Sequence, residues 1–464
     1  MRAKSADYPR AVGATHKARR SIGTPRFVLG RECAPQMNDQ FPEFPLHTDI
    51  AVIGAGAAGL MAAIIAGRLG ARVHLLDGAK KPGAKILVSG GSRCNVTNEL
   101  VVPARFHGEG APAFVSRVLR SFSPEQTLSF FEEIGVELKL EPTGKFFPVS
   151  DSSRTVLGAL LHATHRAGAV LCAQTQVCSL EREGEGWKIE TSRGGVFARS
   201  VIVATGGLAL PKSGSDGRGF TFARDLGHSI IDTTPALTPL YGNDEHYAGA
   251  SGTTLPVRLR LHAKSDAMAS KKLASYDGSF LFTHRGFSGP VALNISRHFA
   301  RHKWTHSQAS VFASLLPCVE EGTEGKWWHE FVGKSSKKSV LNALETQFSS
   351  KLALAIAARA NIISSLPLGR LSKTQNESLK RELFHAPLDV LEVAPYDKAE
   401  TTAGGIALAE IEPNSMMSRL HRGLFFAGEV CDVDGELGGF NFQWAWSSGV
   451  AAGRAAARLS KTSV

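Results

Sequence analysis

The chain has 464 residues, 43% of them hydrophobic and 47 of them glycine, which is typical of a globular α/β protein with two or three domains. Six cysteines over this length exclude a disulfide-rich scaffold and favour a reducing compartment, and without a CxxC pair the simplest thiol–disulfide redox enzymes are excluded as well. No stretch approaches the run of about 20 apolar residues that spans a bilayer, so we expect a cytoplasmic protein with no membrane partner. The net charge of +11 is concentrated in residues 1–36 and 294–385.

Residues 1–46 precede the first predicted strand. Their first 36 residues carry eight Lys or Arg against two acidic residues and show no hydrophobic period. This composition resembles an organelle-targeting segment, but an upstream extension with Met37 as the true start is the preferred interpretation. In either case we expect the segment to be disordered.

The stretch from Asp49 to Asp77 predicts a dinucleotide-binding βαβ unit. An apolar run leads into a glycine-rich turn, a helix of small residues follows, and a second apolar run ends at Asp77. In such a turn, Gly54 permits the tight bend, Gly56 lets a pyrophosphate approach the backbone, and Gly59 lets the helix lie close to the sheet. The phosphates then lie at the helix N-terminus. Asp77 falls where an acid holds a ribose hydroxyl.

Further elements follow in chain order up to residue 207. Residues 78–98 predict a long loop that wraps the ligand. Residues 123–135 predict a helix with Ser123 as N-cap and Gly135 as the stop, and a hairpin and a second helix (153–167) come next. Residues 169–204 read as strands that end in the motif VIVATGG.

From residue 208 to residue 390 the pattern changes, which predicts an insert between two parts of the binding domain, 47–207 and 391–464. Residues 252–285 alternate like antiparallel strands, and residues 338–385 predict helices. The chain then returns to a strand-and-turn pattern and ends in a predicted helix over 444–459.

A second glycine-rich motif, GLFFAGEVCDVDGELGGFNFQWAWSSG, lies near the end of the chain. A strand over 424–427 is predicted to end at Gly428 and Glu429, where an acid could hold a ribityl hydroxyl. A helix that starts near 444–448 could direct its positive end at a flavin ring. This motif and VIVATGG are typical of flavoproteins with a βαβ nucleotide unit.

With these motifs the chain resembles the BaiN/RdsA-like (YhiN-type) family of FAD-dependent oxidoreductases over about residues 47–460. The matching stretches are GAGAAGLMAA, LVSGGSRCNVTN, GKFFPVS, VIVATGG, FLFTHRGFSGP, AETTAGGIALAEI and the terminal motif. Ser92 stands where many relatives carry a third glycine. The resemblance implies an α/β flavoprotein with a Rossmann-like, glutathione-reductase-type FAD-binding domain that is interrupted by a β-barrel plus helical insert.

The resemblance also implies a set of nucleotide-binding residues. They are Gly54, Gly56, Ala57, Gly59 and Asp77 at the first turn, Lys85, Ser89, Gly90, Gly91 and Asn95 along the cofactor, Thr205 and Gly206 on the adenine side, and Gly428, Glu429, Gly439, Asn441 and Gln443 over the flavin. No catalytic residue is assigned and no metal is expected.

For the cysteines and histidines, structural roles are weighed against redox or metal-binding roles. We expect Cys94 and Cys431 to be packed residues rather than redox centres. His298, His302 and His306 have helical spacing, but a solvated basic face is preferred to a metal site. His284 and Arg285 are either ordinary surface residues or, alternatively, one of them lines the substrate side of the site.

The predicted function is an FAD-dependent oxidoreductase that acts on a C=C bond, with dihydrouridine formation in ribosomal RNA as one candidate. The alternatives are a reductase of a small lipophilic molecule and a non-catalytic FAD-bound sensor or scaffold. One GxGxxG motif leaves no second nucleotide domain, so the electron donor is either NAD(P)H that binds transiently over the flavin or a different molecule. The basic residues Lys334, Lys337, Lys338, Arg370 and Lys373, with Trp304, Trp327 and Trp328 nearby, would suit an RNA surface.

Overall fold

The computed structural model describes residues 43–263, 271–306 and 309–461, and at 304–306 it describes the backbone alone. The expectations for residues 1–42, including Met37 as the start, lie outside these ranges. Within them the first strand begins at Leu46, inside the segment expected to be disordered.

Elements up to residue 207 alternate between strands and helices. The strands are β1 (Leu46–Ile53), β2 (Val73–Leu76), β3 (Thr97–Asn98), β4 (Phe106–His107), β5 (Leu138–Leu140), β6 (Lys145–Pro148), β7 (Val170–Cys172), β8 (Val177–Glu183), β9 (Gly186–Thr191) and β10 (Gly194–Val203). The helices are α1 (Ala57–Arg68), α2 (Ala84–Ser92), α3 (Ala111–Ser121), α4 (Pro124–Glu133) and α5 (Ser153–Arg166). Ser123 is the N-cap of α4 as predicted, and it forms a capping box with Gln126, since each accepts a hydrogen bond from the other's backbone N–H.

The remaining elements complete this domain and build the insert. The strands are β11 (Ile230–Ala236), β12 (Leu240–Gly242), β13 (Thr254–Ala263), β14 (Lys272–Thr283), β15 (Gly286–Ser288), β16 (Ala309–Ser314), β17 (Ala386–Leu388), β18 (Val390–Val393), β19 (Thr401–Ile406), β20 (Ile411–Glu412), β21 (Met417–Ser418), β22 (Leu424–Phe426) and β23 (Asp434–Gly435). The helices are α6 (Arg218–Asp225), α7 (Glu245–Ala248), α8 (Pro290–His306), α9 (Glu324–Ser335), α10 (Val340–Leu344), α11 (Ser350–Arg359), α12 (Lys373–Phe384) and α13 (Phe440–Lys461).

A nine-stranded sheet forms the centre of the nucleotide domain. Its parallel strands lie in the order β22, β10, β1, β2 and β7. The apolar run of β1 is fully buried, as expected for a parallel strand covered on both faces. Because the strands are parallel, the turns that follow β1, β2, β10 and β22 meet at one edge, where open α/β sheets bind ligands.

Helix α13 packs against α1 through small residues. A Cβ on Gly449 would lie 2.5 Å from the carbonyl oxygen of Ala58, and one on Gly453 would lie 2.4 Å from that of Ala62. The two helices therefore approach closely only with glycine at both positions. The terminal helix begins four residues earlier than the sequence pattern suggests.

The insert has a separate hydrophobic core. A seven-stranded sheet, ordered β17, β16, β13, β14, β15, β12 and β18, packs with α7–α12. β18 pairs with β12, which carries this sheet past the predicted boundary at residue 390, whereas α6 packs in the nucleotide domain's core. Among the described strands no pairing joins β17 to β18, so the predicted barrel stays a prediction. Within the described ranges, no helix has both the length and the apolarity to cross a membrane.

Candidate cofactor-binding and active site

A cavity of about 720 Å³ lies at the carboxyl ends of β1, β2, β10 and β22, a volume that suits a cofactor-sized ligand. Most of the site residues expected from the sequence line it. They are Gly54, Gly56, Ala57, Asp77, Lys85, Ser89, Gly90, Gly91, Asn95, Thr205, Gly206, Gly428, Glu429, Gly439 and Asn441. Gly59 and Gln443 do not line it.

The glycines of the first turn have different surroundings. Gly54 has a φ of +101°, and a Cβ there would lie 2.5 Å from the Ala204 carbonyl oxygen. A Cβ on Gly59 would lie 1.8 Å from the carbonyl oxygen of Gly54, so this glycine serves the close helix–sheet contact. A Cβ on Gly56 would meet no atom within 4 Å, because this position faces the cavity. The turn thus leaves an open approach to the backbone at Gly56.

Asp77 at the end of β2 holds this turn in place. One carboxylate oxygen accepts a hydrogen bond from Ala55 N (2.6 Å) and the other from Ala79 N (2.8 Å). Each carboxylate oxygen accepts one of these bonds and keeps a second lone pair that can accept another hydrogen bond. The carboxylate can therefore support the turn and still accept a ribose hydroxyl.

Lys85 and Glu429 bring two distant segments together over the cavity. Lys85 Nζ lies 2.6 Å from one carboxylate oxygen of Glu429, and Thr402 N donates to the other at 3.0 Å. Both side chains are mostly buried. Glu429 therefore has a fixed position on the wall where the sequence predicts a ribityl contact.

The segment 78–98 is not the continuous loop that its composition suggested. It contains α2, whose last turn departs from helical geometry at Ser89, Gly90 and Gly91. Gly90 and Gly91 have φ values of +54° and +68°, which glycine adopts at low cost. The break turns the backbone toward the cavity beside Asn95 and Phe147.

Gln443, expected over the flavin, lies behind the cavity wall and not in its lining. Its side chain is fully buried, accepts from the hydroxyls of Thr97 (2.6 Å) and Thr127 (2.9 Å), and donates to Ser447 Oγ (3.0 Å). These bonds satisfy the amide behind the cavity wall. Asn441 does line the cavity, but its amide is bonded to both backbone groups of Gly435 and holds that turn.

Helix α13 begins at Phe440 rather than near Trp444. Trp444 Nε1 donates to the carbonyl oxygen of Gly428, and Ser448 Oγ accepts from Gly428 N. These residues therefore anchor the Gly428 turn from inside the helix. The helix N-terminus lies at the cavity, which Asn441 and Phe442 line.

Sequence reasoning did not assign Lys145, Phe147, Glu400 or Thr401, and all four line the cavity. They stand in two of the matching stretches, GKFFPVS and AETTAGGIALAEI, which was the available signal. Desolvation by the cavity wall raises the pKa of Glu400, and the Lys145 ammonium opposes that shift. The polar side-chain atoms Asn95 Oδ1 and Thr401 Oγ1 are buried and have no hydrogen-bond partner among the described residues. Buried polar atoms ordinarily have partners, and both residues line the cavity.

These features fit a dinucleotide cofactor. The open backbone at Gly56 suits a pyrophosphate, Asp77 suits a ribose, and Asn95 and Thr401 offer unused polar atoms. The chain matches the family described as HI0933-like protein Rossmann domain over residues 48–455. It belongs to this HI0933-like family.

Three curated relatives span nearly the whole of this HI0933-like chain. The chain is 33% identical over 411 residues to a 3-dehydro-bile acid delta(4,6)-reductase of Clostridium scindens, with 88% of this chain and 98% of the relative covered. It is 30% identical to a ribosomal RNA dihydrouridine synthase of Escherichia coli (86% and 96% covered) and 31% identical to one of Haemophilus influenzae (87% and 97% covered). The protein is an FAD-dependent oxidoreductase, and the expectations of enzyme class and α/β fold are confirmed.

The cysteine expectations for this HI0933-like chain agree with the structure. Cys94 and Cys431 are fully buried. Burial raises the pKa of the Cys94 thiol to about 12 and raises the pKa of the Cys431 thiol as well. Both thiols are therefore protonated and unreactive at neutral pH.

The expected solvated histidine face is wrong at His298. Its Nε2 lies 2.9 Å from Tyr276 Oη, and its ring packs edge-on against His107, with centroids 4.9 Å apart. His306 lies outside the described side chains, and no group of metal-binding residues occurs among those described. His284 and Arg285 are exposed and do not line the cofactor cavity; Arg285 stacks over Tyr241.

Proposed function

We propose that the large cavity holds non-covalent FAD, with its pyrophosphate at Gly56, its adenosine ribose at Asp77 and its ribityl chain near Glu429. The observation that supports this arrangement is the open backbone at Gly56 beside a carboxylate that already fixes the turn. When bound, FAD supplies hydride or electron-pair transfer. A nicotinamide, NAD(P)H, is the proposed electron donor.

We infer that the substrate bond is a C=C bond and that the substrate is a uridine in ribosomal RNA. Two relatives similar over nearly their whole length are ribosomal RNA dihydrouridine synthases, and the third is also a reductase. An RNA substrate implies a cytoplasmic location, where ribosomes are.

A basic face on the insert supports RNA as the partner. We define it by Lys334, Lys337, Lys338, Arg370 and Lys373, which are all exposed and have no ion pair among the described residues. Backbone hydrogen bonds join its two segments, from Leu368 N to Lys338 O (2.8 Å) and from Gly369 N to Ser336 O (2.9 Å). Five exposed cations that form no ion pair among the described residues favour a phosphate backbone.

Trp327 and Trp328 pack against the core of the insert instead of forming the exposed stacking surface that the sequence suggested. Trp327 stacks on Phe331 with centroids 4.8 Å apart, and Trp328 is buried in the insert core. Trp304 lies outside the described side chains. The buried ring of Trp328 is therefore closed to base stacking, and the proposed RNA contact rests on the exposed cations.

The test is to map dihydrouridine in ribosomal RNA from a strain that lacks this protein and from the same strain complemented with it. We expect one site to lose the modification and to regain it. The purified protein should carry a flavin that acid precipitation releases and that analysis of the supernatant identifies as FAD. NADPH should bleach the absorbance of this flavin in the intact protein.

The second candidate is a reductase of a small lipophilic molecule, which the similarity to the bile acid reductase favours. Re-oxidation of the bleached protein by a 3-dehydro bile acid with 4,6 double bonds, together with unchanged ribosomal RNA in the deletion strain, would replace the RNA proposal. Covalently retained flavin, or no flavin, would contradict the cofactor arrangement.

A further inference from the structure

Glu400 has an unusual position among the acidic residues of the cavity. Asp77 is bonded to two backbone N–H groups, Glu429 is paired with Lys85, and Asp216 is paired with Arg218. The carboxyl group of Glu400 has no hydrogen-bond or ion-pair partner within the described part of the chain. Glu400 has a large accessible surface and lines the cavity. The surrounding cavity wall nevertheless desolvates its carboxyl group and raises its pKa.

The backbone holds Glu400 firmly at this wall. Its N–H donates to the carbonyl oxygen of Leu237 at 3.2 Å, and the next residue, Thr401, starts β19 and pairs with Ala236. Thr402 is fully buried and donates from its backbone N to Glu429. The side chain therefore projects from a fixed strand end and not from a mobile loop.

Glu400 belongs to a group of residues separate from the one around Asp77. Lys145 is the cation that acts on it, and the Lys145 side chain runs past Gly438, where a Cβ would lie 3.6 Å from Lys145 Cε. Asp77 is joined instead to Thr175, which donates from its backbone N to the Asp77 carbonyl oxygen. Glu400 stands two residues before Thr402, whose backbone N donates to Glu429, so with the ribityl chain near Glu429 the Glu400 group lies toward the flavin end of the proposed cofactor.

We propose that Glu400 is the catalytic acid of this enzyme, delivering a proton from its carboxyl oxygen to the substrate double bond, and that Lys145 is a positioning residue. This proposal rests on the proposed reduction of a C=C bond, and it holds whether the substrate is ribosomal RNA or a small lipophilic molecule. One carbon of the double bond accepts the hydride that reduced FAD supplies, which leaves FAD oxidised. The neighbouring carbon takes the proton of Glu400. The C=C π bond, the bond that held the hydride on the reduced cofactor and the O–H bond of Glu400 therefore break, while two C–H bonds form and Glu400 is left as a carboxylate.

The surroundings of Glu400 suit both halves of this proton transfer. Desolvation raises the pKa of Glu400, which favours the protonated carboxyl that a proton donor needs. The Lys145 ammonium stabilises the carboxylate that remains afterwards. Water that enters the cavity then returns a proton to Glu400.

The first test needs no turnover. The FAD-loaded parent, Glu400→Gln and the control Glu99→Gln, an exposed residue outside the cavity, are titrated by infrared difference spectroscopy. We expect a protonated-carboxyl band in the parent and in Glu99→Gln, absent from Glu400→Gln, with a midpoint above the ordinary value of about 4.3. Lys145→Met should move that midpoint upward. An ordinary midpoint would overturn the proposal.

The second test separates the two half-reactions in rapid mixing. Reduction by NADPH should be unchanged in Glu400→Gln, while re-oxidation by a ribosomal RNA fragment or by the dienone bile acid should slow by about 100-fold or more. Glu400→Asp should recover part of the rate. Re-oxidation of Glu400→Gln at the parent rate would overturn the proposal. If neither probe re-oxidises the parent, the proposed function fails, and the infrared midpoint alone decides whether Glu400 holds the proton.

Discussion

Arg297 and Asp434 form a two-point ion pair, with Arg297 Nε 2.6 Å from one carboxylate oxygen and Arg297 Nη2 3.0 Å from the other. Arg297 lies on α8 of the insert, and Asp434 lies on β23 in the terminal motif of the nucleotide domain. The side chain of Asp434 is 1% exposed. Asn294, one turn earlier on α8, accepts from Leu437 N at 2.8 Å, so the insert supports the glycine loop that lines the cavity.

Arg297→Met should lower the free energy of unfolding by about 3–5 kcal/mol, because it leaves the buried Asp434 carboxylate without its partner. Urea denaturation of the flavin-free protein measures this change. The control is Arg419→Met, which breaks an exposed pair with Glu412 and should cost less than about 1 kcal/mol. Equal effects of the two substitutions would contradict a structural role for the buried pair.

The stability of the protein should fall as the pH is lowered from about 7.5 to about 5. Burial and the neighbouring Arg297 charge lower the pKa of His298 to about 3, and burial, Arg297 and His298 lower the pKa of His107. Histidine in the unfolded chain has a pKa near 6.5, so the unfolded state binds more protons than the folded state in this window. Lowering the pH therefore stabilises the unfolded state relative to the folded one. His298→Gln should weaken the pH dependence of the urea midpoint, whereas the exposed His162→Gln should not. Identical pH profiles would be evidence against this origin.

Gly56→Val should abolish FAD binding without preventing folding, because the new side chain would enter the cavity and meet no protein atom within 4 Å of its Cβ. Gly59→Val should fail to fold, because its Cβ would lie 1.8 Å from a backbone oxygen. Circular dichroism and flavin absorbance distinguish the two variants. Full flavin occupancy in Gly56→Val would mean that the pyrophosphate lies elsewhere.

Asp77→Ala should weaken FAD binding by about 1–3 kcal/mol, since it removes an acceptor of two turn hydrogen bonds and the proposed ribose partner. Calorimetric titration of the flavin-free protein with FAD measures the loss. Asp49→Ala, which breaks an ion pair with Arg72 outside the cavity, is the control and should retain the parent affinity. Unchanged affinity in Asp77→Ala would exclude the ribose contact.

Reversal of Lys337 and Lys338 to Glu should reduce affinity for ribosomal RNA fragments and leave the flavin spectrum and its reduction by NADPH unchanged. The slope of log affinity against log salt should shrink by about one unit for each phosphate that a lysine no longer neutralises. The control, Lys326→Glu with Lys351→Glu, makes the same charge change at exposed insert lysines outside the basic face. The same drop in affinity in both double variants would indicate a net-charge effect and not a binding face.

Much of the nucleotide domain could be read from short segments. The turn at Gly54, the capping box at Ser123 and the acid at Asp77 depend on backbone geometry within a few residues or one βαβ unit, and the structure has each of them. A change of pattern predicts the insert, and its limits stay a prediction. The seven-stranded sheet extends past residue 390 through β18, which no local pattern indicates, because β18 pairs with β12 far away in the chain.

The sequence alone determined the type of cofactor site, since glycine spacing and strand ends encode local geometry that few other residues permit. Only the tertiary structure decided which side chains face the cavity. Gln443 turns away from it to Thr97 and Thr127, while Glu400 and Lys145, which no local pattern connects, line it together. The physical reason is that the burial and direction of a side chain depend on the segments packed around it. Here those segments are about 250 to 350 residues apart in the chain.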